Sequence, residues 1–203
     1  MSEPRYICAA WLSRAATQVA PDLIGCTLIR QLSCGGRLRG LIVETEAYEP
    51  DDPAMHAYQR KTARNQVMFG AAGHAYVYQI YGNYHCLNIV TDREGIASSV
   101  LIRALQLDSI PPWINPMQEL KPHRIAAGPG KLCQALRIDL ILNGTVLQQG
   151  QALWLEQRDS QFQQQLEAGH LTLTQTTRIG LTRGASLPRR WYLSNCPSVS
   201  KKG

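Results

Sequence analysis

The chain has 203 residues, 44% of them hydrophobic, and a formal net charge of +6 with a pI near 9.1. It can bury a core of its own, yet no apolar run approaches the roughly 20 residues of a membrane span. The start, "MSEPRYICAAWLSRAATQ", has an acid at position 3 and no uninterrupted apolar stretch, so it reads as neither signal peptide nor anchor.

Six scattered cysteines with no CxxC pair read as reduced core thiols of a cytoplasmic protein. His74, His85 and Cys86 lie close in sequence, but adjacent residues on a strand point to opposite faces, so no metal site is expected. The positive charge is compatible with a nucleic-acid partner and does not establish one.

Residues 1–22 read as an irregular or short helical lead-in, with 1–20 and 196–203 expected as irregular termini of a single domain spanning 1–203. "LIGCTLIRQL" (23–32) and "RLRGLIVETEAY" (37–48), joined by "SCGG", predict two strands linked by a glycine turn. From Glu49 to Gly73 the chain is polar and irregular, with "QRKTARNQ" (59–66) as its basic centre. Connections of that length are usually functional or disordered.

"HAYVYQIYGNYHCLNIVT" (74–91) is the clearest local signal: two β-rich runs flank Gly82-Asn83, a dipeptide suited to a two-residue hairpin turn. Such a turn sets Tyr78 opposite Leu87 and leaves Asn88 on the other face, unless a β-bulge follows it. "SSVLIRALQL" (98–107) predicts a third strand nearby, residues 108–130 a proline-rich connection, and "GKLCQALRID" (130–139) a short helix. "GQALWLEQ" and "TRIGLTRGASLPRRWYL" read as further strands and a final basic segment. The expected fold class is α+β: a single domain with a mostly antiparallel, curved β-sheet built from β-hairpins, and surrounding helices.

Glu44, Glu46 and Tyr48 alternate, so they share one strand face just before the acidic, proline-marked loop that contains His56. Glu44 and Glu46 stand side by side and not across a sugar, which excludes a paired-carboxylate glycosidase, while a single carboxylate suffices to activate water. No GxSxG occurs, and nothing local recommends any cysteine as a nucleophile.

Tyrosine-rich strands are ordinarily just strands with cross-strand aromatic pairs. A ring at a rigid turn, such as Tyr81 or Tyr84, also suits a wedge between bases. Arg60, Lys61 and Arg64, interleaved with Thr62 and Asn65, can all bond phosphate oxygens. "AAGPGKL" is not a nucleotide-binding P-loop, because Ile125 and Leu132 stand where glycine and Ser or Thr are required. It leaves Lys131 as either an isolated phosphate contact or part of a simple helix start.

The blocks "GLIVETEAYEPDDPAMH", "KTARNQVMF", "AYVYQIYGNYHCLNIV", "VLIRAL" and "GPGKLCQAL", continued more weakly by "TRIGL", cover most of residues 20–195. In this order the sequence resembles the alkyladenine (3-methyladenine) DNA glycosylase family. The resemblance implies a monofunctional glycosylase that starts base excision repair on double-stranded DNA carrying a damaged purine. It implies no metal or organic cofactor and no membrane, with the chain acting as a monomer.

By the resemblance Glu46 is the general base and Arg103 helps hold the attacking water. Tyr48, His56 and Tyr78 wall the base pocket, and Asn88 disfavours the guanine 2-amino group. Tyr81 fills the gap in the duplex, and Thr62, Arg64 and Lys131 fall in segments that contact or approach the DNA backbone. Strand parity by itself leaves Glu44 and Glu46 equivalent. The competing readings are a non-catalytic nucleic-acid-binding module on the same fold and, more distantly, a metal-dependent hydrolase.

Overall fold

The computed structural model describes residues 6–115 and 121–202. Two short helices, α1 (Ala9–Leu12) and α2 (Ala16–Leu23), make up the lead-in, which takes the short helical one of its two expected forms, so residues 6–20 are not wholly irregular. The strands follow as β1 (Thr27–Gln31), β2 (Arg37–Tyr48), β3 (Ala75–Ile80), β4 (Tyr84–Val90) and β5 (Ser99–Leu107). Helix α3 (Pro129–Ala135), β6 (Leu153–Glu156), α4 (Ser160–Glu167), β7 (Leu173–Thr176) and β8 (Arg190–Leu193) complete the order. "TRIGL" is not a strand. Helix α4 adds to the elements expected from sequence, and the Asp159 carboxylate caps it by accepting from the Phe162 N–H.

All eight strands form one curled antiparallel sheet in the order β3-β4-β5-β2-β1-β6, with β8 joining β2 and β7 joining β8. The fold is α+β, as the pattern of runs and turns predicts. Among the described residues no helix is long and apolar enough to cross a membrane.

The two faces of the sheet differ in chemistry because side chains alternate. Val77, Leu87, Ile89, Val100, Ile102 and Ala47 face one way and pack with Val19, Leu23, Leu132 and Ala135 of α2 and α3 into the main core. Buried Thr45 donates to the Ala20 carbonyl at 2.9 Å and so fixes α2 against β2. The opposite face carries a continuous row across five strands: Tyr76 pairs with Asn88, Asn88 with Leu101, Leu101 with Glu46, and Glu46 with Arg190. Paired residues lie on the same face, so the pleat alone puts these side chains on one surface.

Two irregularities shape that surface. Ile42 pairs with Leu105, Glu44 with Ala104 and Thr45 with Ile102, so Val43 is the extra residue on β2 and Arg103 the extra residue on β5. Bulges of this kind bend strands and re-aim side chains. The second irregularity is the β3–β4 turn. Ile80 pairs with Tyr84, so the loop is Tyr81-Gly82-Asn83 with three residues, and the positive φ values fall at Tyr81 (42°) and Gly82 (79°). The two-residue turn at Gly82-Asn83 is therefore corrected. Tyr78 faces Cys86 and Tyr76 faces Asn88, which puts Asn88 on the tyrosine face without any bulge.

The glycines of "GPGKL" also find a packing explanation. Gly128 takes φ of 135°, and a Cβ on Gly130 would come within 2.7 Å of the Tyr84 ring. The motif lets α3 approach β4 closely and needs no phosphate to account for it.

Candidate active site

The two glutamates of β2 are fully buried, which a solvent-facing strand would not tolerate. They survive burial because two arginines come with them. Arg103 lies 3.2 Å from Glu44 Oε1 and 3.2 Å from Glu46 Oε1. Arg190 lies 2.9 Å from Glu44 Oε1. The Ser200 N–H donates to Glu44 Oε2 at 2.7 Å, so all of Glu44's partners are structural.

Burial by itself would lower the pKa of Arg103, but the Glu46 and Glu44 carboxylates outweigh it and the net shift is upward. Arg103 is a permanent cation here. The bulge on β5 is what inserts it between the two acids.

Glu46 has a different set of partners. Its Oε1 accepts from the Ile179 N–H at 2.9 Å and faces Arg103, while its Oε2 accepts from the Tyr48 hydroxyl at 2.9 Å. All three partners donate, which suits an ionised, acceptor-only carboxylate. A carboxylate offers about four acceptor positions, so one position on Oε2 is left for a further donor such as water. Glu44 also has three donors, but they are two arginines and a backbone N–H, and what distinguishes Glu46 is its bond to the Tyr48 hydroxyl. Burial raises the pKa of Tyr48 well above its ordinary value, with Glu46 adding to it, so the phenol stays a donor.

Tyr76, Tyr78 and His56 form an aromatic wall on the same face. The two tyrosine rings stack at 5.2 Å between centroids, and His56 meets Tyr78 edge-on at 4.4 Å. His56 Nδ1 lies 3.2 Å from the Tyr76 hydroxyl. When that hydroxyl donates, Nδ1 is the acceptor and Nε2 carries the proton. Tyr48, Tyr58 and Tyr78 border a second apolar cluster, apart from the main core, built on Met55, Met68, Tyr76 and Val90.

Asn88 donates to Ser99 Oγ at 2.9 Å, and its buried Oδ1 has no partner among the described residues. Tyr81 is 89% exposed at the tip of the hairpin. A bulky residue with positive φ is uncommon and mildly strained, and such strain gathers at functional positions.

The basic loop is only partly as expected. Asn65 is buried and is not a phosphate contact. Its side chain binds the carbonyls of His56 and Arg60 at 2.9 and 3.0 Å and accepts from the Thr62 N–H at 2.7 Å. It holds the loop that presents His56. The pattern Thr62-x-x-Asn65 is a local capping arrangement that the sequence could have revealed.

Arg64 is exposed, with its guanidinium 5.9 Å from the Tyr78 ring centre. Lys131 sits on α3, which packs on β4 and β5, with its ammonium 3.5 Å from the Arg124 carbonyl. The structure gathers Glu46, Arg103 and Tyr48 by direct contact and His56 with Tyr78 by ring contact. Asn88 lies in the same sheet row as Glu46. Among the described residues no group of three or more His, Cys, Asp or Glu side chains is disposed to hold a metal ion.

The sequence has counterparts among DNA glycosylases. The family model described as methylpurine-DNA glycosylase matches residues 10–197, and the chain belongs to that family. A relative from Trichodesmium erythraeum, named "Putative 3-methyladenine DNA glycosylase", is 55% identical over 99% of this chain and all of its own. Relatives of the same name from Synechococcus sp. (strain JA-3-3Ab) and Methanoculleus marisnigri are 57% and 44% identical, over 94% and 96% of this chain and 96% and 98% of theirs.

The pocket histidine gives a test. Burial and, after it, the charge of Arg64 lower the pKa of His56 from its ordinary 6.5. The folded protein therefore binds this proton less readily than the unfolded chain does. Stability falls as pH drops below about 6.5 and is recovered above it. Replacing Arg64 by Gln removes a like charge, so the His56 pKa measured by NMR titration should rise toward 6.5. An unchanged or lower value would show that Arg64 does not act on the imidazole.

Proposed function

We propose that the protein is a monofunctional DNA glycosylase that extrudes an alkylated or deaminated purine from duplex DNA and hydrolyses its N-glycosidic bond. It works as a monomer on cytoplasmic DNA and starts base excision repair. The observation that carries this reading is the buried Glu46, held by three donors and left with one open position on Oε2. A module that only binds DNA gains nothing from such a carboxylate.

A base inside the stack hides its sugar bond, so the nucleotide must leave the helix before chemistry begins. Tyr48 and Tyr78 offer faces for the extruded purine, and a neutral His56 with its proton on Nε2 donates to a base acceptor. As the base leaves, positive charge develops on the sugar. Ionised Glu46 then stabilises that charge while accepting a proton from water bound at Oε2. Arg103 keeps the carboxylate aimed, and Arg64 and Thr62 face the phosphates beside the pocket. Tyr81 enters the space that the base vacates.

Glu46→Gln keeps the shape but cannot take the proton. Base release from a lesion-bearing duplex should vanish, with duplex binding within about tenfold of wild type. If Glu46→Gln turns over normally and Glu44→Gln is dead, the assignment of the base is reversed. A water mechanism forms no adduct, so borohydride should trap no covalent protein–DNA species.

Tyr81→Ser should leave the melting temperature nearly unchanged, because the ring is exposed. Loss of one stacking contact, worth roughly 1–3 kcal/mol, predicts about 10- to 100-fold weaker binding of a duplex lesion. A lesion in single-stranded DNA should lose less. Equal losses on both substrates with a lower melting temperature would remove the wedge role.

A further inference from the structure

One buried arginine outside the residues already assigned touches several parts of the pocket at once. Arg178 has a fully buried side chain paired with the equally buried Asp52. Its Nη2 lies 2.9 Å from Asp52 Oδ1, and its Nη1 bonds Asp52 Oδ2. Nη1 also donates to the Ala47 carbonyl and Nη2 to the Gly184 carbonyl, each at 3.1 Å.

The same guanidinium lies over the Tyr48 ring, 4.6 Å from its centre. One face of that ring is thus covered by a fixed cation. The next residue, Ile179, supplies the N–H that fixes Glu46 Oε1. Asp52 Oδ1 in turn accepts from the Ala54 N–H at 3.0 Å, and its carbonyl accepts from the Met55 N–H at 2.9 Å, which shapes the turn entering His56. Gly184 has φ of 59°, and a Cβ there would lie 3.0 Å from Asp52 Oδ1 and 3.1 Å from Arg178 Nη2. The chain closes over the pair as tightly as a residue without a side chain permits.

We infer that Arg178, clamped by Asp52, is a positioning residue for the glycosylase site: it backs the Tyr48 ring and holds the segment whose Ile179 N–H aims Glu46. The inference rests on the proposed role of Glu46. It adds that Glu46 and Tyr48 are held in common by one ion pair that touches neither base nor sugar.

A buried guanidinium cannot be removed without cost, since its partner would be left as an uncompensated buried charge. The test therefore uses Arg178→Lys, which keeps the charge but loses the planar fork, and Asp52→Asn, which keeps the shape but loses the anchor. Both are assayed below their own melting transitions for single-turnover base release at saturating enzyme and for affinity to undamaged duplex.

Misplacement of reacting groups by about 1 Å can cost on the order of 100-fold in rate. Release should slow by about 10- to 100-fold in both variants, while affinity for undamaged duplex stays within about threefold. Tyr48→Phe, which removes the hydroxyl on Glu46, should combine with Arg178→Lys less than additively, because both act through the same carboxylate.

Wild-type release rates in the folded variants, or strict additivity with Tyr48→Phe, would reduce Arg178 to a stability residue. If Arg178→Lys does not fold at any temperature, the Asp52→Asn rates decide. Glu46→Gln, run in parallel, separates the two claims. Normal turnover in Glu46→Gln overturns the proposed mechanism itself, whereas a dead Glu46→Gln with unaffected clamp variants overturns only the positioning role.

Discussion

Two carboxylates and two guanidiniums lie together on one water-excluded face of the sheet, and the site is arranged around keeping them there. Each charge alone would be costly to bury by several kcal/mol. Glu44 and Glu46 are held by Arg103 and Arg190, and backbone and phenolic donors bond further oxygen positions. This constraint explains features that look unrelated in the chain. The β5 bulge exists where Arg103 must reach both acids. The final strand must add to β2 to deliver Arg190. Residues 196–202 carry no helix or strand, yet they are fastened by Arg124 and Arg190 to backbone carbonyls, which brings the Ser200 N–H to Glu44.

Within that cluster the two acids have separate tasks. Glu44 has partners on both oxygens, and all of them belong to the frame. Glu46 likewise carries two contacts on one oxygen and one on the other, but its Oε2 partner is the Tyr48 hydroxyl, whereas Glu44 is held by two arginines and a backbone N–H. Arg103 joins them. A change at Glu44 is therefore felt at Glu46 through a shared cation, and mutational effects at these positions should couple rather than add. The aromatic side of the pocket depends less on charge. It is set by sheet register, by the T-shaped packing of His56 on Tyr78, and by Asn65 holding the loop from beneath.

Rigid and exposed parts are divided accordingly. The pocket floor lies in the middle of a curled sheet, backed by the main core. Tyr81 stands on a three-residue loop where its backbone adopts an unusual conformation and its ring meets solvent. In the proposed mechanism precise placement is needed where bonds are broken, whereas Tyr81 needs only a stiff support and a free ring.

Local pattern made much of this readable. Alternation in "LIVETEAY" put Glu44, Glu46 and Tyr48 on one face, and the β-rich runs around Gly82 announced the hairpin. The two-residue turn failed because local propensity at Gly82-Asn83 was outweighed by a loop that includes Tyr81. One residue of difference moved Asn88 to the other face. Periodicity could not tell Glu46 from Glu44, since strand parity treats them alike. Only the resemblance of the motif separated them in sequence, and in the structure the separate donors do so. Arg178, Ile179, Arg190 and Ser200 were invisible as site residues for a simple reason. Their partners on β2 and its following loop lie 126 to 156 residues away. The sequence determined most of the strands and their two-sided chemistry, because these follow from short-range alternation. Only the tertiary structure decided which donors each carboxylate receives, because Ile179, Arg190 and Ser200 are delivered by the last third of the chain.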